Sequence, residues 1–303
     1  MRLGIVGTGR VGASFILALQ SVEEMKVVGL MASSWDTSQD MGTVYHVTPY
    51  QDGGALLRAC DVTLITVPDD CIGPVCEDLA TAVAAQQQKG HGVVLHCSGA
   101  MGIEPLRPLQ HVGYAVGSLH PLQSFAKPDG SQLSHIYMAV AGDEAAQKAA
   151  CAIARAVQST TFTVPDAMRP AYHAAACFAS NFIVTAMALG QSLMSQFTET
   201  PADAAKALWP LIAGTMHNVQ EQNEFANALT GPVARGDVGT VKKHLAALPA
   251  AYTQVYCEFA MATAQVALAT QRISREQYDQ FHSILAIGKG DFNEQESKHT
   301  HHR

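Results

Sequence analysis

The stretch Leu3-Gly4-Ile5-Val6-Gly7-Thr8-Gly9-Arg10-Val11-Gly12 stands at the start of the chain and decides the fold. An apolar run predicts a β-strand, a Gly-x-Gly-x-x-Gly motif follows it directly, and the apolar segment Ala13–Leu19 predicts a helix after the turn. Gly7 permits a tight turn, Gly9 lets the backbone approach a pyrophosphate, and Gly12 lets helix and strand pack closely. The helix N-terminus then faces the phosphates, so we expect Gly7-Thr8-Gly9-Arg10-Val11-Gly12 to bind a dinucleotide.

The end of the second predicted strand distinguishes NAD from NADP. An acidic residue at this place holds the ribose hydroxyls, whereas small polar or basic residues leave room for a 2′-phosphate. This chain has Ala32-Ser33-Ser34-Trp35-Asp36 there, so Ser33 and Ser34 are candidate ligands and NADP is favoured. Arg10 is either a cation for the 2′-phosphate or a solvated arginine. Asp36 lies slightly farther along and keeps NAD as the lesser alternative.

The composition argues against several functional classes. Of the 303 residues, 48% are apolar and 15% are charged, and a formal net charge of −7 gives no electrostatic basis for binding nucleic acid. No apolar run reaches the roughly 18 residues of a membrane-spanning helix, and no secretory cleavage site is present. We therefore expect a cytoplasmic protein without membrane contact. The 7 cysteines form no Cys-x-x-Cys pair, which favours reduced thiols over disulfides or a metal site.

The chain divides into an α/β part and an all-α part. Short β-rich runs alternate with helical stretches at first, which predicts parallel βα units and a Rossmann domain over residues 1–165. Ala-rich and Met-rich segments then predict a helical substrate and dimerisation domain over residues 166–287, and we expect a disordered polar tail over residues 288–303. The predicted strands are Leu3–Val6, Lys26–Met31, Val62–Val67, Gly92–His96, Tyr114–Ser118, Tyr137–Ala141 and Thr160–Val164, and the predicted helices of the second domain are Ala167–Gln196, Pro201–Glu224, Val238–Leu248, Ala250–Thr270 and Ser274–Ala286.

Four further stretches give the sequence a family resemblance. They are Thr66-Val67-Pro68-Asp69-Asp70, His96-Cys97-Ser98-Gly99-Ala100, Ser118-Leu119-His120-Pro121-Leu122-Gln123-Ser124-Phe125 and Leu229-Thr230-Gly231-Pro232-Val233-Ala234-Arg235-Gly236-Asp237. Over nearly the whole chain the sequence resembles a family of Rossmann-like, NADP oxidoreductase-like proteins with a helical C-terminal domain of unknown function. More distantly it resembles the β-hydroxyacid dehydrogenases, the prephenate dehydrogenases and the deazaflavin-dependent NADP oxidoreductases. The resemblance implies an NAD(P)-dependent oxidoreductase, although one fold hosts many chemistries.

The carboxyl ends of the predicted strands provide the candidate site residues, because ligands of doubly wound sheets bind there. Val67 and Pro68 are expected to pass beside the ribose and the nicotinamide. Ser98 stands where the resemblance to β-hydroxyacid dehydrogenases implies a substrate-binding hydroxyl, and a simple turn residue is the alternative. His120 resembles the histidine of the His-Pro pair in prephenate dehydrogenases. It is either a proton donor or a residue that caps the strand end.

The first helix after the Rossmann domain departs from the β-hydroxyacid dehydrogenase pattern. Those enzymes carry Lys-x-x-x-Asn, whereas the matching stretch here is Cys177-Phe178-Ala179-Ser180-Asn181, so the asparagine is present and the catalytic lysine is absent. Helical spacing predicts that His173, Cys177 and Asn181 line one wall of a cleft. His173 is either a second acid/base candidate or a helix histidine with satisfied hydrogen bonds.

Together these patterns predict hydride transfer between NADPH and a small carbonyl, imine or hydroxyacid substrate in the cleft between the two domains. His120 is the expected proton donor, because an ordinary histidine has a pKa near the working pH, and Ser98 and Asn181 are expected to hold the substrate. The alternative is a dinucleotide-binding sensor or scaffold that has lost catalysis, which the absent lysine favours. The Ala-rich and Met-rich helices also predict a homodimer formed through the helical domain.

Overall fold

The computed structural model of the chain describes residues 1–86 and 89–286. The polar tail predicted for residues 288–303 therefore lies outside the described residues. Residue contacts divide the chain into two compact units, of which the first comprises Met1–Met187 and the second begins at Ala188. The change from strands to helices predicted at residue 165 thus falls inside the first unit.

The first unit is built around one sheet. Its strands are β1 (Arg2–Val6), β2 (Lys26–Met31), β3 (Thr48–Pro49), β4 (Val62–Ile65), β5 (Val93–His96), β6 (Ala115–Pro121), β7 (Tyr137–Gly142) and β8 (Thr160–Thr163). They lie in the order β3-β2-β1-β4-β5-β6-β7-β8. All neighbouring pairs in this part of the chain are parallel except β6 and β7. The strand order reverses between β1 and β4, so the switch point of a doubly wound sheet lies there.

The helices follow the predicted pattern closely. They are α1 (Arg10–Leu19), α2 (Trp35–Tyr45), α3 (Gly53–Ala59), α4 (Asp69–Ala84), α5 (Arg107–His111), α6 (Glu144–Ala156), α7 (Arg169–Ala179), α8 (Asn181–Met194), α9 (Pro201–Gln220), α10 (Val238–Ala247) and α11 (Ala250–Ala269). Residues 275–286 are also helical. The single helix predicted for Ala167–Gln196 is broken at Ser180, whose φ of −131° and ψ of −78° lie outside the helical region.

Helices cover both faces of the sheet. Phe15 of α1 and Ile153 of α6 belong to the core on one face, and Leu56 of α3 and Ile72 of α4 belong to the core on the other. All four side chains are fully buried. The run Val62–Ile65 is buried at every position, as is typical of a parallel strand with both faces covered. The prediction of an α/β Rossmann domain followed by helices is therefore confirmed.

The strands β3, β6 and β7 differ most from the prediction. β7 runs antiparallel to β6, because the connection contains only the short 3-10 turn Gly130–Leu133 and lacks the crossover helix that a parallel strand needs. β6 continues beyond the predicted end at Ser118, so His120 lies within the strand and not after it. The prediction missed β3 because a strand of 2 residues carries no periodic pattern.

The helical segment Asp166–Phe197 presents an apolar surface that the described part of the chain leaves uncovered. The sequence expectation of no membrane-spanning run counts polar residues such as Ser180 as interruptions. By mean composition and length, however, the segment is apolar enough to cross a membrane, and none of its most apolar window is buried. After Arg169 it contains no Asp, Glu, Lys or Arg. Phe178 and Phe182 are both exposed, and their rings pack edge to face with centroids 4.9 Å apart. A contiguous apolar surface of this kind is typical of an interaction site.

We expect a second copy of this chain to cover that surface, so that the protein has twice the chain mass at micromolar concentration. Val184 on α8 is 64% exposed and allows a direct test, since Val184→Lys places a charge in the apolar surface and should shift the mass from light scattering toward the monomer. Val44→Lys on α2, where the valine is 60% exposed, is the matched control and should stay dimeric. A monomeric wild-type protein, or one that requires detergent, would contradict the expectation.

Candidate functional site

A cleft of about 650 Å³ lies where the strand order reverses. The loops at the carboxyl ends of β1, β2 and β4 form this β1/β4 cleft, which is where doubly wound sheets bind dinucleotides. Its lining includes the predicted ligands Gly7, Thr8, Gly9, Ser33, Val67 and Pro68. Four other predicted ligands are outside the lining formed by the described residues, namely Arg10, Val11, Gly12 and Ser34.

The glycines have the geometry of a phosphate-binding turn. Gly7 has a φ of +97°, a left-handed conformation that favours glycine. A Cβ on Gly12 would collide with the Gly7 carbonyl oxygen and with Thr66 Oγ1, so Gly12 permits the close packing of α1 against the sheet. A Cβ on Gly9 would meet no atom within 4 Å. Because Gly9 also caps the N-terminus of α1, the open space beside it fits a pyrophosphate.

The end of β2 presents small and hydroxyl-bearing side chains to the β1/β4 cleft. Ser33 and Thr37 line it, whereas Asp36 is outside the lining formed by the described residues. The carboxylates that do line it are Asp52 and Asp78, from the loops and helices after β3 and β4. One oxygen of the Asp52 carboxylate already accepts a hydrogen bond within the protein, because Oδ1 caps the N-terminus of α3. Among the described residues, the β2 end therefore contributes no acidic side chain to the cleft lining that could hold an unphosphorylated ribose.

Arg10 and Ser34 make hydrogen bonds within the protein. Ser34 Oγ accepts from the Thr37 backbone N–H at 3.1 Å and caps α2. Arg10 Nη1 donates to the Phe125 carbonyl at 3.2 Å, so the guanidinium is directed to the loop after β6. Val11 packs against the core beneath α1. Cofactor contacts by these residues stay predictions.

A second cleft, of about 590 Å³, lies within the first unit, at the end of β6 and along α7. In this His120 cleft, His120 Nδ1 of β6 and the Tyr172 hydroxyl of α7 are 2.7 Å apart. The ring centroid of His173 lies 6.2 Å from that of His120. The described residues supply no Asp, Glu, Lys or Arg to the lining, which consists of His120, Leu122, Gln123, Ser124, Phe162, Tyr172, His173, Ala175, Ala176, Cys177, Ala179, Ser180 and Asn181.

Burial changes the acid–base behaviour of His120. Desolvation, followed by the charges of His173, Arg169 and His96, lowers the pKa of His120 from 6.5 to about 4. The expectation that His120 keeps the pKa of an ordinary histidine is therefore wrong, and the imidazole is neutral at pH 7. Burial also raises the pKa of Tyr172 to about 12, so its hydroxyl keeps its proton. When the hydroxyl donates to His120 Nδ1, the remaining imidazole proton is on Nε2.

Ser98 lies in the turn after β5 and is almost completely buried. Its Oγ donates to Asp69 Oδ2 at 2.8 Å and accepts from the backbone N–H groups of Ala100 and Met101 at 3.3 and 3.2 Å. A hydroxyl has a single proton to donate, and Asp69 accepts it. Ser98 thus joins its turn to the start of α4, as the turn-residue alternative predicts. A contact between Ser98 and substrate stays a prediction.

His96 is a second buried histidine, close enough to His120 to affect its pKa. It is fully buried at the end of β5. Its Nδ1 accepts from the Ser98 N–H at 3.1 Å, which places the proton on Nε2, 3.0 Å from the Gly102 carbonyl that accepts it. Burial lowers the pKa of His96 from 6.5 to about 4, opposed by the hydrogen bond to Gly102 and reinforced by Arg169. His96 is therefore a neutral residue with both ring nitrogens occupied.

The predicted wall of His173, Cys177 and Asn181 is present, since all three residues line the His120 cleft. His173 Nδ1 is buried and has no hydrogen-bond partner in the described part of the chain. Asn181 is exposed and begins α8 directly after the break at Ser180. The structure thus brings His120, His173 and Asn181 together, and Ser98 lies outside the lining formed by the described residues.

Tyr172 and Arg169 are residues that the sequence reasoning missed. Both lie in the predicted helix Ala167–Gln196, where Arg169 is the single Lys or Arg and Tyr172 follows one helical turn later. A charged residue in an otherwise uncharged apolar helix indicates a buried polar contact, because arginine is rarely fully buried without a partner. That signal was available in the sequence.

Comparison with protein families identifies two domains in the chain. Residues 1–121 match the model of a Rossmann-like domain, which covers the glycine turn and extends to His120. Residues 136–263 match the model of a domain of unknown function, DUF2520, which covers α7 and Tyr172. The family resemblance inferred from the sequence is thereby confirmed. No curated protein sequence matches the chain.

Several solved structures share the fold. A protein from Bacteroides fragilis, described as a candidate NADP oxidoreductase, is 17% identical with a TM-score of 0.71, over 87% of this chain and 98% of that one. The protein TM1727 from Thermotoga maritima is 24% identical with a TM-score of 0.65, over 89% and 99%. A 1-pyrroline-5-carboxylate reductase from Streptococcus pyogenes is 14% identical with a TM-score of 0.60, over 93% and 98%. At these identities the likeness shows the fold.

The two glycines of the turn allow folding and cofactor binding to be tested separately. Gly12→Ala should lower the free energy of unfolding by about 1 to 3 kcal/mol, because the added methyl collides with the Gly7 carbonyl. Gly9→Ala should leave stability unchanged and weaken NADPH binding on the order of tenfold, because its methyl enters the space that fits the pyrophosphate. Urea denaturation and NADPH fluorescence titration measure the two effects. Unchanged affinity in Gly9→Ala would place the dinucleotide elsewhere.

Burial of His96 makes stability pH-dependent. Because the pKa of His96 falls from 6.5 in the unfolded chain to about 4 in the folded one, its contribution is complete above pH 6.5 and is lost as the pH falls toward 4. Within that window one such histidine lowers the free energy of unfolding by up to about 1.4 kcal/mol per pH unit. His96→Gln should flatten this slope in urea denaturation, and the exposed His91→Gln should not. An equal slope in His96→Gln would refute this account of His96.

Proposed function

We propose that this chain is an NADPH-dependent oxidoreductase that reduces the C=N or C=O bond of a small substrate in the His120 cleft. The observation that carries the proposal is the His120–Tyr172 hydrogen bond of 2.7 Å, which lies in a cleft on the same sheet edge as the glycine turn. A bound dinucleotide supplies the hydride, and the protein must supply a proton and hold the substrate. These side chains meet that need.

The tautomer of His120 determines which ring nitrogen can donate a proton to the substrate. A hydride added to a carbonyl or imine carbon leaves negative charge on oxygen or nitrogen, and His120 Nε2–H neutralises it. As that proton leaves Nε2, the Tyr172 hydroxyl proton moves to Nδ1, so the imidazole stays neutral throughout. The tyrosinate, whose conjugate acid has a pKa of about 12, then takes its proton back from Nδ1 while Nε2 takes a proton from solvent. The substrate gains one hydride and one proton, and His120 ends in the form in which it began.

His173 and Asn181 are the groups we assign to substrate orientation. His173 Nδ1 is buried without a partner in the described chain, and Asn181 offers an amide at the rim of the same cleft. We assign Ser98 to holding the turn after β5, because Asp69 already accepts its hydroxyl proton. The preference for a C=N or C=O substrate is supported by the shared fold of a pyrroline-carboxylate reductase, since pyrroline contains a C=N bond.

The proposal is tested by NADPH oxidation with a panel of small ketones, aldehydes and imines, followed at the nicotinamide absorbance band. Turnover with at least one member, together with stoichiometric loss of the C=O or C=N bond, is the expected result. Tight NADPH binding without turnover on any member would favour the dinucleotide-binding sensor or scaffold. Absence of NADPH and NADH binding would reject both functions.

Replacement of the donor pair should separate chemistry from binding. His120→Asn should leave NADPH affinity intact and lower turnover by roughly two to four orders of magnitude, the usual range for a lost proton donor. Tyr172→Phe removes only the hydroxyl and should act in the same direction. Because the pKa of His120 is about 4, wild-type turnover should show no limb due to His120 between pH 5 and 8. Turnover of His120→Asn within a few fold of wild type would make His120 structural and His173 the better candidate.

The β2 end should set the cofactor preference. NADPH should bind more tightly than NADH, because Ser33 and Thr37 line the β1/β4 cleft where an acidic residue would repel a 2′-phosphate. Ser33→Asp should reverse the order in fluorescence titrations, and Ser33→Ala is the control for loss of the hydroxyl alone. Equal affinities in the wild type would show that Asp36 or another carboxylate holds the ribose.

A further inference from the structure

Arg169 is the largest fully buried side chain in the described part of the protein, with 0% of its surface exposed. It stands at the first position of α7. Its Nη1 donates to the Ser98 carbonyl at 3.4 Å, and its Nη2 donates to Ser118 Oγ. One guanidinium therefore joins three elements of the first unit, namely the turn after β5, strand β6 and the start of α7.

The charge of Arg169 is not neutralised by a contacting carboxylate. The ion pairs of the described residues do not include it. Its Nε is buried without a hydrogen-bond partner in that part of the chain. Asp166 acts on it only from a greater distance, and the Asp166 carboxylate accepts the Ile103 backbone N–H at 3.1 Å. A buried arginine held by two neutral acceptors is costly, so stability alone does not explain why an arginine occupies this position.

The position of Arg169 relates it to the donor pair of the His120 cleft. Tyr172 and His173 follow it by three and four residues, so all three share one face of α7. Ser118 and His120 are two residues apart in β6 and therefore point to the same face of the sheet. The guanidinium thus links the start of α7, one turn before Tyr172, to Ser118, which lies two residues before His120 in β6.

We propose that Arg169 is a positioning residue, which aligns Tyr172 on α7 with His120 on β6 and places a positive charge behind the pair. The proposal rests on the function proposed above. Arg169 does not line the His120 cleft formed by the described residues, so it acts through His120 and does not contact the substrate. Its charge disfavours a second proton on the imidazole, which keeps Nδ1 available to accept from Tyr172.

Arg169 is one of several causes that lower the pKa of His120. Burial contributes most to the lowered pKa of His120, then the charges of His173 and Arg169, and His96 on β5 contributes least. The opposing residue in β7 is Ala139, which is uncharged. Asp69 and Asp166 raise the pKa of His96 and are not among the causes that shift His120. Removal of Arg169 should therefore raise the pKa of His120 partway toward 6.5.

The test is an NMR pH titration of the full chain with labelled histidine, in which His120→Gln identifies the His120 signal. Arg169→Met removes the charge and keeps the length of the side chain, and it should raise the titration midpoint of His120 on the order of one pH unit. Arg169→Lys keeps the charge and should leave the midpoint near that of the wild type. Arg155→Met, at an exposed arginine of α6, is the matched control and should change nothing. An unchanged midpoint in folded Arg169→Met overturns the proposal.

Ser118→Ala provides a second arm that retains Arg169 and removes one of its anchors, so a conclusion does not depend on the folding of the Met variant. The freed guanidinium should shift the His120 midpoint, and an unchanged midpoint counts against the proposal. Because these titrations need no substrate, they separate the positioning role from the proposed reaction. Once a substrate is known, Arg169→Met should lower kcat more than it raises KM, and Arg169→Lys should recover part of the loss. A fall in NADPH turnover with an unmoved His120 midpoint would make Arg169 merely structural.

Discussion

The close packing of α1 against β1 and β4 is the constraint on which the rest of the structure depends. Thr66 Oγ1 donates to the Gly7 carbonyl, and Gly12 leaves no room for a side chain between them. This contact fixes the N-terminus of α1 over the carboxyl edge of the sheet and thereby forms the β1/β4 cleft. Because β5 and β6 continue the parallel order, their ends reach the same edge, and the His120 cleft follows from the same topology.

The chemistry of the His120 cleft depends on burial as much as on residue type. His96 and His120 are ordinary histidines in the sequence, yet both are neutral at pH 7 because desolvation and a buried guanidinium disfavour their charged forms. A neutral histidine is a hydrogen-bond donor at one nitrogen and an acceptor at the other. The hydrogen bond with the Tyr172 hydroxyl determines which nitrogen of His120 accepts, so the packing of α7 on β6 sets the tautomer.

The sequence predicted the fold because its signals are local. The glycine turn, the alternation of strand and helix signals, and the change to helices near residue 165 all depend on neighbouring residues. The reversal at β7 was missed because it depends on the absence of a crossover helix after Pro121. For the site, the pattern located His120, His173 and Asn181 in one cleft. It did not reveal that Ser98 donates its hydroxyl proton to Asp69, or that Arg169 donates to Ser118 near His120. The partners of these two hydrogen bonds are 29 and 51 positions apart in the sequence.

The proposed function requires that one edge of the sheet binds the dinucleotide at the β1/β4 cleft. Hydrogen–deuterium exchange measured by mass spectrometry, with and without NADPH, tests it most directly. We expect slower exchange in peptides that contain Gly7–Gly12 and Thr66–Asp69, and no change in α6 (Glu144–Ala156), which packs on β6 and β7. Protection confined to other segments, with the glycine turn unaffected at saturating NADPH, would contradict it.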